Sequence, residues 1–125
     1  MSPTLREVLL VALGGGVGSV GRFLAASAMT RWLPGFPFGT LLVNVGGCFL
    51  MGVLAGWTSD RTLRAALGVG VLGGFTTFSA FGGDTFALAE GGAWKLAALN
   101  VCANVGLGLL AVWAGRTLVI AALAR

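Results

Sequence analysis

The 125-residue chain is 57% hydrophobic, and its 22 glycines raise the apolar share to about three quarters, against about 45 to 50% in soluble domains. Charged residues make up 10% of the chain, where about 25% is usual, so there is too little polar surface to coat a water-soluble globule of this size. The expected solvent is the bilayer: a span takes about 20 apolar residues, so four spans and their connections fill the chain and leave no room for a second domain.

The first apolar segment covers about 8–29, from Val8 to Met29, and holds a single charge, Arg22. No polar spacer follows it, so it is expected to be a retained span and not a cleaved signal peptide. Arg31, Trp32, Pro34, Gly35 and Pro37 then mark an interfacial turn, since proline ends helices and tryptophan favours the headgroup layer. The second segment, 38–57, carries no charge and gives way to Thr58, Ser59, Asp60 and Arg61. The third, 63–88, contains Asp84 near its far end and closes at Glu90, Gly91 and Gly92. The fourth, 94–113, starts at Trp94 and Lys95 and is followed by Arg116 and a weakly apolar tail. The predicted architecture is one all-α membrane domain of four transmembrane helices.

The formal charge is +4, but the eight basic residues are scattered singly. That pattern anchors helix ends to headgroups and does not point to nucleic acid as a partner. Four spans put both termini on one side, with Arg6, Arg61, Arg64 and Arg125 there, and Arg116 as a fifth where it clears the span, against Arg31 and Lys95 opposite, or three where Arg22 snorkels outward. So shallow a bias permits insertion both ways up as well as a single orientation with the terminal side in the cytoplasm. Cys48 and Cys102 lie far apart in apolar stretches and read as small core residues.

In lipid, helices associate through close backbone contact, which small residues four apart permit. Gly14 and Gly18, Gly52 and Gly56, and Gly70 and Gly74 have that spacing on three spans and predict a tightly packed bundle.

The chain has no His and no Tyr, and Glu7, Asp60, Asp84 and Glu90 sit near span ends. This is poor material for an enzyme, for a metal cluster, or for a proton-coupled carrier with a titratable group at mid-membrane. It favours passive movement past neutral polar groups. Gly73 to Phe81, GGFTTFSAF, is the least lipid-like stretch of any span. Paired Gly and paired Thr are weak helix formers, so the third helix is expected to open there and line a site, its freed carbonyls able to hold a cation. The competing reading is a continuous helix whose Thr and Ser bond back to carbonyls one turn earlier. Phe78 and Phe81, three apart, share a face, and ring edges beside the Thr77 and Ser79 hydroxyls suit an anion. Asn44, with Thr40 one turn before it, and Asn100 with Asn104 on the fourth span add amides that serve either interhelical bonding or a pathway. Arg22 cannot lose its proton; it snorkels, pairs, or stands in a wet vestibule that draws anions inward.

Together the GGGVGSVGR run ending at Arg22, the GTLLVNVGG run with Thr40 and Asn44, and GGFTTFSAF resemble the fluoride channel family called Fluc or CrcB. The resemblance covers essentially the whole chain. It implies a fluoride-selective channel in the plasma (inner) membrane, built as an antiparallel, dual-topology homodimer with two pathways along the subunit seam. It also implies a structural Na+ on the backbone carbonyls of Gly73 and Thr76. The fluoride pathway then falls on Asn44, Phe78, Phe81, Ser79, Thr77, Thr40 and Asn104, with Arg22 in the vestibule. Many relatives have Tyr and Ser where this chain has Asn100 and Asn104, and Glu where it has Asp84. The rival class, a small four-span proton-coupled multidrug exporter, needs a carboxylate within the first span, and Val8 to Met29 has none. A non-transporting assembly subunit would explain the glycines but not the polar third span.

Overall fold

The computed structural model describes residues 2–125, which are helical throughout apart from short connections. In chain order come α1 (Leu5–Trp32), α2 (Phe38–Trp57), α3 (Arg61–Leu63), a π-helical stretch (Arg64–Leu72), α4 (Gly73–Phe75), α5 (Phe78–Glu90) and α6 (Trp94–Leu123). Four stretches are long and apolar enough to cross a membrane: Leu5–Trp32, Phe38–Trp57, Arg61–Glu90 and Trp94–Leu123.

Local chemistry explains where these helices begin and end. α1 starts ahead of the apolar segment because Thr4 and Glu7 form a capping box: the Glu7 N–H donates to the Thr4 hydroxyl at 3.2 Å and the Thr4 N–H to the Glu7 carboxylate at 2.7 Å. Arg61 then ties this end to the start of the third stretch, with Nε 2.8 Å from Glu7 Oε1 and Nη2 donating to the Ser2 carbonyl at 2.8 Å. Asp60 caps α3 by accepting the Leu63 N–H at 2.8 Å. Gly35 and Gly92 turn the chain with φ of 97° and 82°, a region closed to most side chains. α6 continues past Trp113 because no proline interrupts its tail and Gly115 packs against the α2 backbone at Phe49, and Thr117 bonds back to the Trp113 carbonyl at 2.8 Å.

Two helix pairs carry the packing, and both are backbone contacts. Across α1 and the third stretch, a side chain on Gly18 would run into the Val71 carbonyl oxygen and one on Gly74 into that of Gly15, while a Cβ on Gly70 would lie 3.3 Å from the Gly14 Cα. Across α2 and α6, Gly52 abuts the Val112 carbonyl and Gly115 that of Phe49. The side-chain core is correspondingly thin. Leu41, Val43, Leu54, Leu72, Phe81 and Ala97 are buried, whereas Leu13, Val17, Phe23, Leu109 and Trp113 face outward, as expected where the surroundings are acyl chains. Cys102 corrects the reading of both cysteines as core: it lies exposed on α6, and only Cys48 is partly enclosed. In lipid a small apolar thiol is as well placed outside as inside.

Candidate functional site

The sequence from Gly73 to Ser79 builds the site. α4 ends at Phe75, Thr76 (φ −86°, ψ 156°) and Thr77 (φ −150°, ψ 118°) are extended, and α5 begins at Phe78. Weak helix formers make this conformation cheap, and side chains make it specific. In a helix the N–H of Thr77 would bond the carbonyl of Gly73, and that of Ala80 the carbonyl of Thr76. Here the Thr77 N–H donates to Asn44 Oδ1 at 2.8 Å, and the Ala80 N–H to the Thr77 hydroxyl at 3.1 Å. The carbonyls of Gly73 and Thr76 thereby lose their helical donors. The carbonyl of Gly74 accepts from Arg22 Nε at 3.1 Å and the Ser19 hydroxyl at 3.5 Å.

Asn44 grips Thr77 from both sides, its Nδ2 also donating to the Thr77 carbonyl at 3.1 Å. Its second N–H goes to Asn104 Oδ1 at 3.0 Å. Both donors of Asn104 turn to Asn100, one to the carbonyl and one to Oδ1, each at 3.0 Å. The chain of amides ends where Asn100 Nδ2 donates to the Thr85 hydroxyl at 2.9 Å, and Thr85 donates to the Phe81 carbonyl at 2.7 Å.

Beside this chain lies a cavity of about 230 Å³ lined by Asn44, Thr76, Thr77, Phe78, Phe81 and Asn104, with Cys48 on its wall. Phe78 and Phe81 meet edge to face with centroids 5.3 Å apart. The Thr77 and Ser79 hydroxyls are 3.2 Å apart, and either can donate. One bond between two hydroxyls leaves one O–H free beside a cavity that Phe78 and Phe81 also line, and uncharged donors near aromatic rings suit a small anion.

Six of the seven residues assigned to an anion pathway thus gather here. Thr40 stands apart, its hydroxyl donating to Asp84 Oδ2 at 2.7 Å, so the shorter acid does reach across to α2. Arg22 takes a partner that sequence reasoning missed, a carbonyl released where the helix gives way. Back-bonding of a hydroxyl also occurs, but at Thr76, which donates to the Leu72 carbonyl at 2.9 Å. Asn100 was legible as a polar residue on α6. Its complete burial, at 0% exposure, was not.

Comparison with known proteins identifies the family. The family model described as CrcB-like protein, Camphor Resistance (CrcB), matches residues 9–116. A Shewanella sp. (strain ANA-3) protein named Fluoride-specific ion channel FluC is 48% identical over 120 residues, covering 92% of this chain and 97% of its own. A protein of the same name from Caulobacter vibrioides (strain NA1000 / CB15N) is 48% identical over 118 residues, covering 89% and 93%. One from Shewanella woodyi is 44% identical over 120 residues. With four apolar helices, a matched model over most of its length and relatives this similar, the chain is a multi-pass membrane protein of the CrcB-like family.

Proposed function

We propose that this protein is a fluoride-selective channel that lets fluoride leave the cytoplasm down its electrochemical gradient. The observation that carries the reading is the uncharged cavity lined by Thr76, Thr77, Phe78 and Phe81, with the paired Thr77 and Ser79 hydroxyls beside it; the names of the relatives agree with it. Fluoride is small and tightly hydrated, so donors must replace its water while narrowness excludes chloride. The membrane potential supplies about 2.3 kcal/mol per charge per 100 mV, and conduction makes and breaks no bond. The relatives give the multidrug exporter no support, and α1 has one acid, Glu7, bound to Arg61 at its end.

In this reading the third span opens at mid-membrane and the working unit is an antiparallel homodimer in the inner membrane, inserted in both orientations. Phe78, 82% exposed in the single chain, then faces a second copy. The unpartnered carbonyls of Gly73 and Thr76 have the hard oxygen chemistry that Na+ takes; two from each subunit would hold a structural ion at the centre and fix the two opened spans against one another. Fluoride passes Thr77, Ser79, Phe78 and Phe81, with Asn44, Asn104 and Thr40 along the same route. Arg22, permanently charged, attracts anions toward the mouth.

Reconstituted into liposomes, the protein is expected to release fluoride at least a hundredfold faster than chloride, read with ion-selective electrodes. Equal release of both ions, or of neither, would refute the channel. Phe81→Ile, which keeps apolar bulk and removes a ring edge, is expected to cut fluoride flux at least tenfold while the protein still elutes as a dimer. Unchanged flux would take the rings out of the pathway.

A further inference from the structure

Taking the protein as the channel proposed above, we infer that Asn100 is a positioning residue for conduction: from full burial on α6 it sets, through Asn104, which way Asn44 faces Thr77.

The sense of the amide chain reads the same from both ends, from the Thr77 N–H and carbonyl that flank Asn44 and, on α6, from the Asn100 carbonyl and side chain that together take both donors of Asn104. The Thr85 hydroxyl has given its proton to the Phe81 carbonyl, so it can only accept, and Asn100 must present Nδ2 to it. That turns Asn100 Oδ1 toward Asn104, which answers with Nδ2 and leaves its own Oδ1 for Asn44. Asn44 must then offer Nδ2 to Asn104, which leaves its Oδ1 for the Thr77 N–H. Reversing any one amide would set oxygen against oxygen or N–H against N–H at both of its contacts. Asn100 does not line the cavity, yet the chain it anchors decides whether the Thr77 N–H stays away from the Gly73 carbonyl.

The chain contains three asparagines and no glutamine, so side-chain N–H groups labelled with 15N-asparagine give three resolvable pairs in the dimer in detergent. Thr85→Val removes the terminal acceptor. It is expected to lower fluoride flux at least tenfold and to shift the Asn44 pair, although Thr85 does not touch Asn44. Thr85→Ser, which keeps the hydroxyl, is expected to restore flux to within twofold and to return the original spectrum. Asn100→Leu should lower flux at least tenfold, and the Asn100→Leu, Asn104→Leu double variant should be no slower than Asn104→Leu alone. Flux within twofold of the parent in Thr85→Val overturns the inference, as does lost flux with unmoved Asn44 resonances, which marks a plain packing defect. Thr85→Val decides the matter if Asn100→Leu does not fold. A parent protein that releases no fluoride refutes the channel itself, while the spectra still report on the amide chain.

Discussion

Asn44→Leu is expected to abolish fluoride conduction, with efflux from liposomes falling at least a hundredfold to the leak of empty vesicles. Leucine fills the space of asparagine but can neither accept the Thr77 N–H nor donate to the Thr77 carbonyl and Asn104. Leaving such a group buried without a partner costs about 1–3 kcal/mol. The cheapest escape is for the Thr77 N–H to return to the Gly73 carbonyl and lengthen α4, which withdraws the carbonyl proposed for Na+ and swings the Thr77 hydroxyl away from Ser79. The channel would be lost even where the bundle survives. Flux in Asn44→Leu within tenfold of the parent would show that the opened backbone does not depend on this amide.

Gly18→Ala is expected to have the largest effect on stability. Its added carbon would occupy the place of the Val71 carbonyl oxygen and come within 2.8 Å of the Phe75 backbone nitrogen. Neither neighbour is the end of a flexible side chain, so α1 must move away from the third stretch as a unit. Overpacking of this kind costs about 1–3 kcal/mol, and more where backbone has to shift. Gly16, two residues earlier on the same helix, has nothing within 4 Å of the equivalent position, so Gly16→Ala should gain the helix propensity of alanine, about 0.5–1 kcal/mol. Thermal unfolding in detergent checks the pair: the midpoint falls for Gly18→Ala and is unchanged or higher for Gly16→Ala. Equal midpoints would show that the helix contact is looser than described.

Much of this was legible in the sequence because lipid imposes simple rules. Apolar length gave the four helices, and glycines four apart located Gly14, Gly18, Gly70 and Gly74 on facing surfaces. Gly108 and Gly115, whose contacts lie on α2, are seven apart and so lack the four-residue spacing that marks a helix contact in a sequence. Residue type likewise marked Gly73 to Phe81 and Asn44 as polar material out of place in oil. What residue type does not encode is partnership. An amide has donors to offer until neighbours consume them, and those of Asn44 and Asn104 are consumed by Thr77, by each other and by Asn100. Arg22 could similarly be assigned three fates from its chemistry alone, while its bond to Gly74 depends on a carbonyl released 52 residues away in the chain.

The length of α6 bears on the membranes this protein can inhabit. α2, with 20 residues, measures about 30 Å, close to one hydrocarbon thickness. Its far end, Gly56, rests against Arg116 and Val119. α6 has 30 residues, or about 45 Å, and even at an ordinary tilt of about 20° it exceeds the acyl layer by about 12 Å. The one turn after Val119, Ile120 to Leu123, therefore extends past the end of α2. A bilayer thicker than the 20 residues of α2 can span is met first at that end of α6, away from the paired backbones around Thr77.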